Sequence, residues 1–132
     1  MKILLAYDGG EPARRALSTA AGIAKAMGAG LDVISVIPIR GGRSRIDPWD
    51  DLEEHTSELL DAKARLADLG LACSLLEPAG DPAEEIETAA TSGDYDMVVI
   101  GSRRKGALGR MLQGSVSEHV ATHTDATVVV AR

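Results

Sequence analysis

Phenylalanine is absent from this chain of 132 residues, and aromatic residues of every kind make up only 2% of it. A β-sandwich core built on large rings is therefore not expected. Hydrophobic residues still reach 45% of the chain, with alanine prominent among them, and alanine lets helices pack closely on a sheet. Cysteine occurs once, at Cys73, which excludes an internal disulfide framework and a thiol-built metal cluster. No run approaches the ~20 consecutive apolar residues of a membrane span. The opening Met1-Lys-Ile-Leu-Leu-Ala-Tyr-Asp8 becomes charged too quickly for a secretory leader. Basic residues are outnumbered, 14 against 20 acids, and the net charge of −6 argues against a general nucleic-acid binder. The expectation is one domain over residues 1–132, cytoplasmic, with no membrane and no nucleic-acid partner.

What the chain does contain is alternation. Five apolar runs read as strands: Ile3–Tyr7, Leu31–Ile37, Leu71–Leu76, Met97–Ile100 and Thr127–Ala131. Most are apolar almost without interruption, as in parallel strands covered on both faces. Helical spacing fills the gaps. Ala13, Ala16, Leu17, Ala20, Ile23, Ala24 and Met27 form one stripe, with Pro12 in the first turn and Gly28 beyond the end. A second helix is predicted from Pro48 or Trp49 to Leu69, stopped by Gly70. A third opens with Asp81-Pro-Ala-Glu84, a capping box with a first-turn proline, and stops near Gly93. A short last helix covers about Val116 to His123. Strand alternating with helix implies βαβ units, hence an α/β fold with an open, doubly wound, five-stranded parallel sheet and helices on both faces. The long connection from Pro38 to Asp47 carries Arg40, Arg43 and Arg45.

The segment most suggestive of chemistry is Gly101-Ser-Arg-Arg-Lys-Gly-Ala-Leu-Gly-Arg-Met-Leu-Gln-Gly-Ser115, with four glycines, four basic residues and no acid. It follows the strand Met97–Ile100 and leads into a helix opened by Ser115-x-x-Glu118. Glycines let backbone approach a guest closely, and free N–H groups at a helix N-terminus attract anions. A phosphate-bearing small molecule fits that pattern. Ligands of doubly wound sheets bind beyond the carboxyl ends of the strands where the strand order reverses. There Asp8 would face the glycine loop and could hold a divalent cation on a bound phosphate; the alternative is that Asp8-Gly9-Gly10 is simply a turn.

These residues resemble the universal stress protein family: Ile3-Leu-Leu-Ala-Tyr-Asp-Gly-Gly-Glu-Pro12 at the start, and Val99-Ile-Gly-Ser, Gly114-Ser-Val-Ser-Glu118 and Thr127-Val-Val-Val-Ala131 at the end. The resemblance covers essentially the whole chain. It implies strand order 3-2-1-4-5, a homodimer paired through the last strand (residues 127–131), a role as sensor or regulator in the stress response with a regulatory protein partner, and in one subgroup an ATP or AMP site. That site would take Ala6, Tyr7 and Asp8 from the first strand end and Val36 from the second. Ile100, Gly101, Gly114, Ser115 and Val116 would hold ribose and phosphates, with Mg, where present, reaching Asp8. The subgroup's motif is Gly-x-x-Gly, nine residues, then Gly-Ser or Gly-Thr. Here Gly101 and Gly114-Ser115 match, while the second glycine position is Arg104. Two readings stay open: Arg104 joins Arg103 in binding phosphate, or it fills the phosphate space and leaves a protein that works through partners alone. The family's loop after the first strand often has a serine where this chain has Gly10.

Enzymatic signals are weak. There is no Gly-x-Ser-x-Gly elbow and no phosphate-binding Gly-Lys-Ser/Thr loop. Ser102 and Ser115 lack a recognisable base, so no catalytic residue is assigned and turnover is at most a slow ATPase. His119 and His123 stand four apart but lack the His-Glu-x-x-His order and further ligands, so no resident metal is expected.

Overall fold

In a computed structural model, the structure describes residues 1–38, 48–101 and 116–131, with backbone only at 38 and 48–55. The elements in chain order are β1 (Lys2–Ala6), α1 (Glu11–Met27), β2 (Gly30–Ile34), β3 (Ile37–Pro38), α2 (Pro48–Asp68), β4 (Cys73–Leu76), β5 (Ala79–Gly80), α3 (Pro82–Ser92), β6 (Met97–Gly101) and β7 (Thr127–Ala131). Residues 116–123, between β6 and β7, are also helical and are called α4. The main sheet has five strands in the order β4-β2-β1-β6-β7, and every pairing is parallel. Counting only these five strands, that is the expected 3-2-1-4-5.

The two-residue alternation of each strand divides the core. Ile3, Leu5, Tyr7, Val33 and Val99 pack beneath α1 and α2, with Leu17, Ala20, Leu59, Ala62 and Leu66. Leu4, Ile34, Val98 and Ile100 face the other way, against Ile86 and Ala90 of α3 and Val120 of α4. The small alanines of α1 bring that helix close to the sheet: Ala16 and Ala20 are fully buried.

Two strand boundaries differ from the sequence expectation for reasons that the hydrogen bonds show. β4 starts at Cys73 instead of Leu71, because the Leu71 N–H closes the end of α2 by donating to the Leu66 carbonyl at 2.9 Å. Gly70, at φ 81°, makes that left-handed turn, and its N–H donates to the Ala67 carbonyl at 2.9 Å. The run Leu31–Ile37 is broken after Ile34: Ser35 and Ile37 donate to the carbonyls of Leu76 and Pro78, but Pro78 has no N–H to return. Pairing resumes as the β3–β5 ribbon, Ile37 with Ala79 and Pro38 with Gly80. At α3, Asp81 caps the helix as expected, accepting from the Glu84 N–H at 3.1 Å. The helix also ends at Ser92, before Gly93, as expected, and the left-handed residue beyond it is Asp94 (φ 53°).

Candidate functional site

The chain leaves β1 towards β2 and β4 on one side of the sheet, then returns to place β6 and β7 on the other. The reversal therefore falls between β1 and β6, whose carboxyl ends are Ala6 and Gly101. Register places Leu76, Ile34, Ala6 and Ile100 side by side across four strands at this end. All four belong to the core face covered by α3 and α4. Ala6 stands between two isoleucines, so the row has its smallest side chain at its centre, at the strand-order reversal, and this step in side-chain size is called the notch. Val36, just past β2, and Val116, the first described residue of α4, pack on the same cluster. Ala6, Val36, Leu76 and Val116 are half-buried, while Ile100 is buried. Half-buried apolar side chains round a notch at the sheet's edge leave a surface suited to a flat, apolar-faced group.

Four of the residues expected at the site, Ala6, Val36, Ile100 and Val116, are thus gathered in one cluster. Leu76 completes it and was not singled out from sequence; its position at the end of the third strand run was the available signal. Tyr7 lies elsewhere. Alternation turns its ring to the α1/α2 face, where the phenol donates to Asp61 Oδ2 at 3.4 Å and burial pushes its pKa up. A hydrogen bond from Arg65 at 2.8 Å in turn holds the Asp61 carboxyl below the usual aspartate range. At the notch Tyr7 has only backbone to offer.

Asp8, Gly9 and Gly10 form the turn into α1. Asp8 is exposed, and its Oδ1 accepts from the Gly10 N–H at 3.0 Å. Gly10 is the helix N-cap and supplies no side-chain cap, and the Asp8 carboxylate bonds the N–H of Gly10 itself. Gly9 adopts φ 80°, and a Cβ there would fall 2.6 Å from the Glu58 side chain. The turn reading accounts for Gly9 and leaves Asp8 exposed just beyond the end of β1. Gly101 has a different reason: a Cβ on it would fall 2.5 Å from the Pro12 carbonyl oxygen, so only glycine allows α1 to start against the end of β6.

Arg103, Arg104, Gly114 and Ser115 lie outside the described residues, as do Ser102 and the rest of the basic loop. The side chains of Trp49 and His55 are likewise not described, and their backbone is helical. Among the described residues, no group of three or more His, Cys, Asp or Glu could hold a metal ion. His119 instead meets Glu87 of α3, Nε2 to Oε2 at 2.6 Å. The His123 ring stacks on it with centroids 4.1 Å apart, and its Nδ1–H donates to the His119 carbonyl at 2.8 Å. No helix among the described residues is long and apolar enough to cross a membrane.

Sheet order and helices on both faces define a doubly wound α/β protein. The chain belongs to the universal stress protein family, whose model matches residues 1–132. A universal stress protein of Thermus aquaticus is 34% identical over 139 residues, spanning 98% of this chain and 97% of that one. The stress response protein NhaX of Bacillus subtilis is 30% identical over 166 residues, spanning 99% and 97%. Among solved structures, a family member from Burkholderia pseudomallei superposes with a TM-score of 0.76 at 27% identity, covering 98% of this chain and 93% of that chain. The same fold occurs in an Archaeoglobus fulgidus universal stress protein in complex with dAMP (TM-score 0.76, 24% identity, 100% and 98% covered). It occurs again in an Arabidopsis thaliana family protein with AMP bound (TM-score 0.70, 18% identity, 99% and 90% covered).

Proposed function

We propose that this universal stress protein is a regulatory or sensor protein that holds an adenine nucleotide, ATP or AMP, in the crevice between β1 and β6. The observation that carries the reading is the notch over Ala6, between Ile34 and Ile100 and bordered by Val36, Leu76 and Val116. A purine is flat and apolar on its faces, and it gains from burial against aliphatic side chains at about 25 cal/mol per Å². The dAMP and AMP complexes of proteins with this fold support the choice of adenine.

In this reading the base lies on the notch and the phosphates point towards the glycine-rich basic segment, residues 101–115. Gly101, Gly114, Ser115 and Val116 hold ribose and phosphate by backbone and hydroxyl, and Arg103 and Arg104 supply charge. Magnesium, when it accompanies ATP, is held by the phosphates and by Asp8, which is exposed at the β1–α1 turn. Hydrolysis is slow or absent, since Asp8 is the one carboxylate of that turn and already accepts from Gly10. The protein acts in the cytoplasm as a homodimer paired through residues 127–131, and it passes occupancy of the site to a regulatory protein partner.

The test is calorimetric titration of nucleotide-stripped protein with ATP and AMP, with and without magnesium, for the wild type and Arg104→Gly. Submillimolar binding by the wild type is expected, weakened in Arg104→Gly as one charge-assisted phosphate contact is lost. No binding by the wild type, with binding gained in Arg104→Gly, overturns the reading and makes Arg104 the plug of a site that has been given up for partner contacts.

A further inference from the structure

The helix α4 borders the proposed nucleotide notch through Val116 and carries, three residues on, a polar contact that the nucleotide reading does not use. Val116, His119, Val120 and His123 recur at the spacing of a single helical face. Val120 is fully buried in the α3/α4 core and Val116 packs on that core at the crevice end. His119 reaches Glu87 of α3 at 2.6 Å, with both side chains only 29% exposed, and the stacked His123 ring covers it from the following turn. The eight described residues of α4 are too few to be stable as a helix by themselves. What fixes its position, and so the position of Val116, is its contact with the sheet and with α3.

We infer that the His119–Glu87 contact is a positioning clasp for the proposed nucleotide site: it holds α4 against α3 so that Val116 closes the notch. The inference rests on the nucleotide reading for its ligand and on the α3–α4 geometry for its mechanism. His119 does not touch the nucleotide. It sets the site's shape from the next turn of the same helical face, through Val120 and Val116. A shielded hydrogen bond to a carboxylate is among the stronger side-chain contacts, and apolar packing of two valines alone does not fix the rotation of so short a helix.

The experiment compares wild type, His119→Ala and His119→Gln, the last of which can keep an N–H donor near the place of Nε2. Two quantities are read: the Val116 methyl resonances without ligand, and the calorimetric affinity for AMP. His119→Ala is expected to shift the Val116 methyl signals and to weaken AMP binding roughly 3- to 10-fold, part of the value of one charge-assisted hydrogen bond. His119→Gln restores both, which a general loss of packing would not allow. Unmoved Val116 signals in His119→Ala overturn the clasp, and so does AMP affinity within twofold of wild type or a glutamine variant as impaired as the alanine one. Absence of AMP binding by the wild type, with Val116 displaced in His119→Ala and restored in His119→Gln, overturns the nucleotide reading and supports the clasp.

Discussion

Tyr95 stands at the end of the sheet opposite the crevice, just before β6, and ties several elements together. Its hydroxyl donates to Asp32 Oδ2 of β2 at 2.5 Å, while Asp32 Oδ1 accepts from the Ser74 N–H of β4 at 3.0 Å. The Lys2 ammonium lies 4.5 Å from the Tyr95 ring centroid and donates to the Gly93 carbonyl at 2.6 Å. Burial first, and then the Asp32 carboxylate, push the phenol's pKa well above its ordinary 10.0. An unfolded phenol ionises near its ordinary value, so the folded state holds its proton more tightly than the unfolded one. The stabilisation is therefore complete below about pH 10 and declines as pH rises towards the folded-state value. Tyr95→Phe is expected to lower stability at neutral pH by about 1–2 kcal/mol and to flatten the loss between neutral pH and about pH 11, without changing nucleotide affinity. Urea denaturation at both pH values checks this; an alkaline loss as steep in Tyr95→Phe as in wild type would contradict it.

Side-chain direction was legible in part at this scale. Ala6 and Ile100 meet because they lie near the ends of neighbouring strands at the reversal, while Val36 and Val116, named through the family resemblance, pack on the same cluster. Tyr7 was the exception, although the period of two already placed it with Ile3 and Leu5, away from the notch. The clasp between His119 and Glu87 was not legible at all, since 32 residues separate the two partners.

Helix ends show why element boundaries were harder to read than elements. Gly28, at φ 61°, ends α1 as its glycine suggested. At α3 a glycine also follows the last turn, but the reason is steric. Gly93 has an ordinary φ of −88°, and a Cβ there would fall 2.4 Å from the Tyr95 ring and 2.9 Å from the Ala89 carbonyl oxygen. The left-handed position is taken by Asp94, and the Tyr95 N–H then reaches the Ala90 carbonyl at 3.1 Å. A sequence pattern of helix followed by glycine does not distinguish these two uses. Gly93→Ala is expected to cost about 1–3 kcal/mol through overpacking. Asp94→Gly should change stability by less than about 0.5 kcal/mol, since relief of the left-handed backbone is offset by a freer unfolded chain. Thermal or urea unfolding of the two variants decides it: equal effects, or the reverse order, would contradict the assignment. The break after Ile34 has a similar origin, as Pro78 on the neighbouring strand removes a donor that an apolar run alone does not reveal.

The whole molecule was the most legible level. Strand–helix alternation led to a parallel, doubly wound sheet, and the family resemblance supplied the order that pairing now displays. β7 is an edge of that sheet, bonded to β6 on one side only, and its Val130 is 43% exposed. An apolar edge strand is a template for pairing, which supports the proposed homodimer. Sedimentation of wild type as a dimer, and of Val130→Lys as a folded monomer, is the expected outcome. A wild-type monomer, or a dimer indifferent to the substitution, would remove β7 as the interface.

The most direct measurement of the account is methyl-resolved NMR of protein labelled at Ala, Ile, Leu and Val and titrated with AMP. An adenine on the notch shifts the methyls of Ala6, Ile34, Val36, Leu76, Ile100 and Val116 through its ring current, while Ile3, Leu59 and Val99 on the opposite face of the sheet stay in place. Saturating shifts confined to the first group are the predicted result. No shifts at millimolar AMP, or shifts centred on the α1/α2 face, would contradict the nucleotide site.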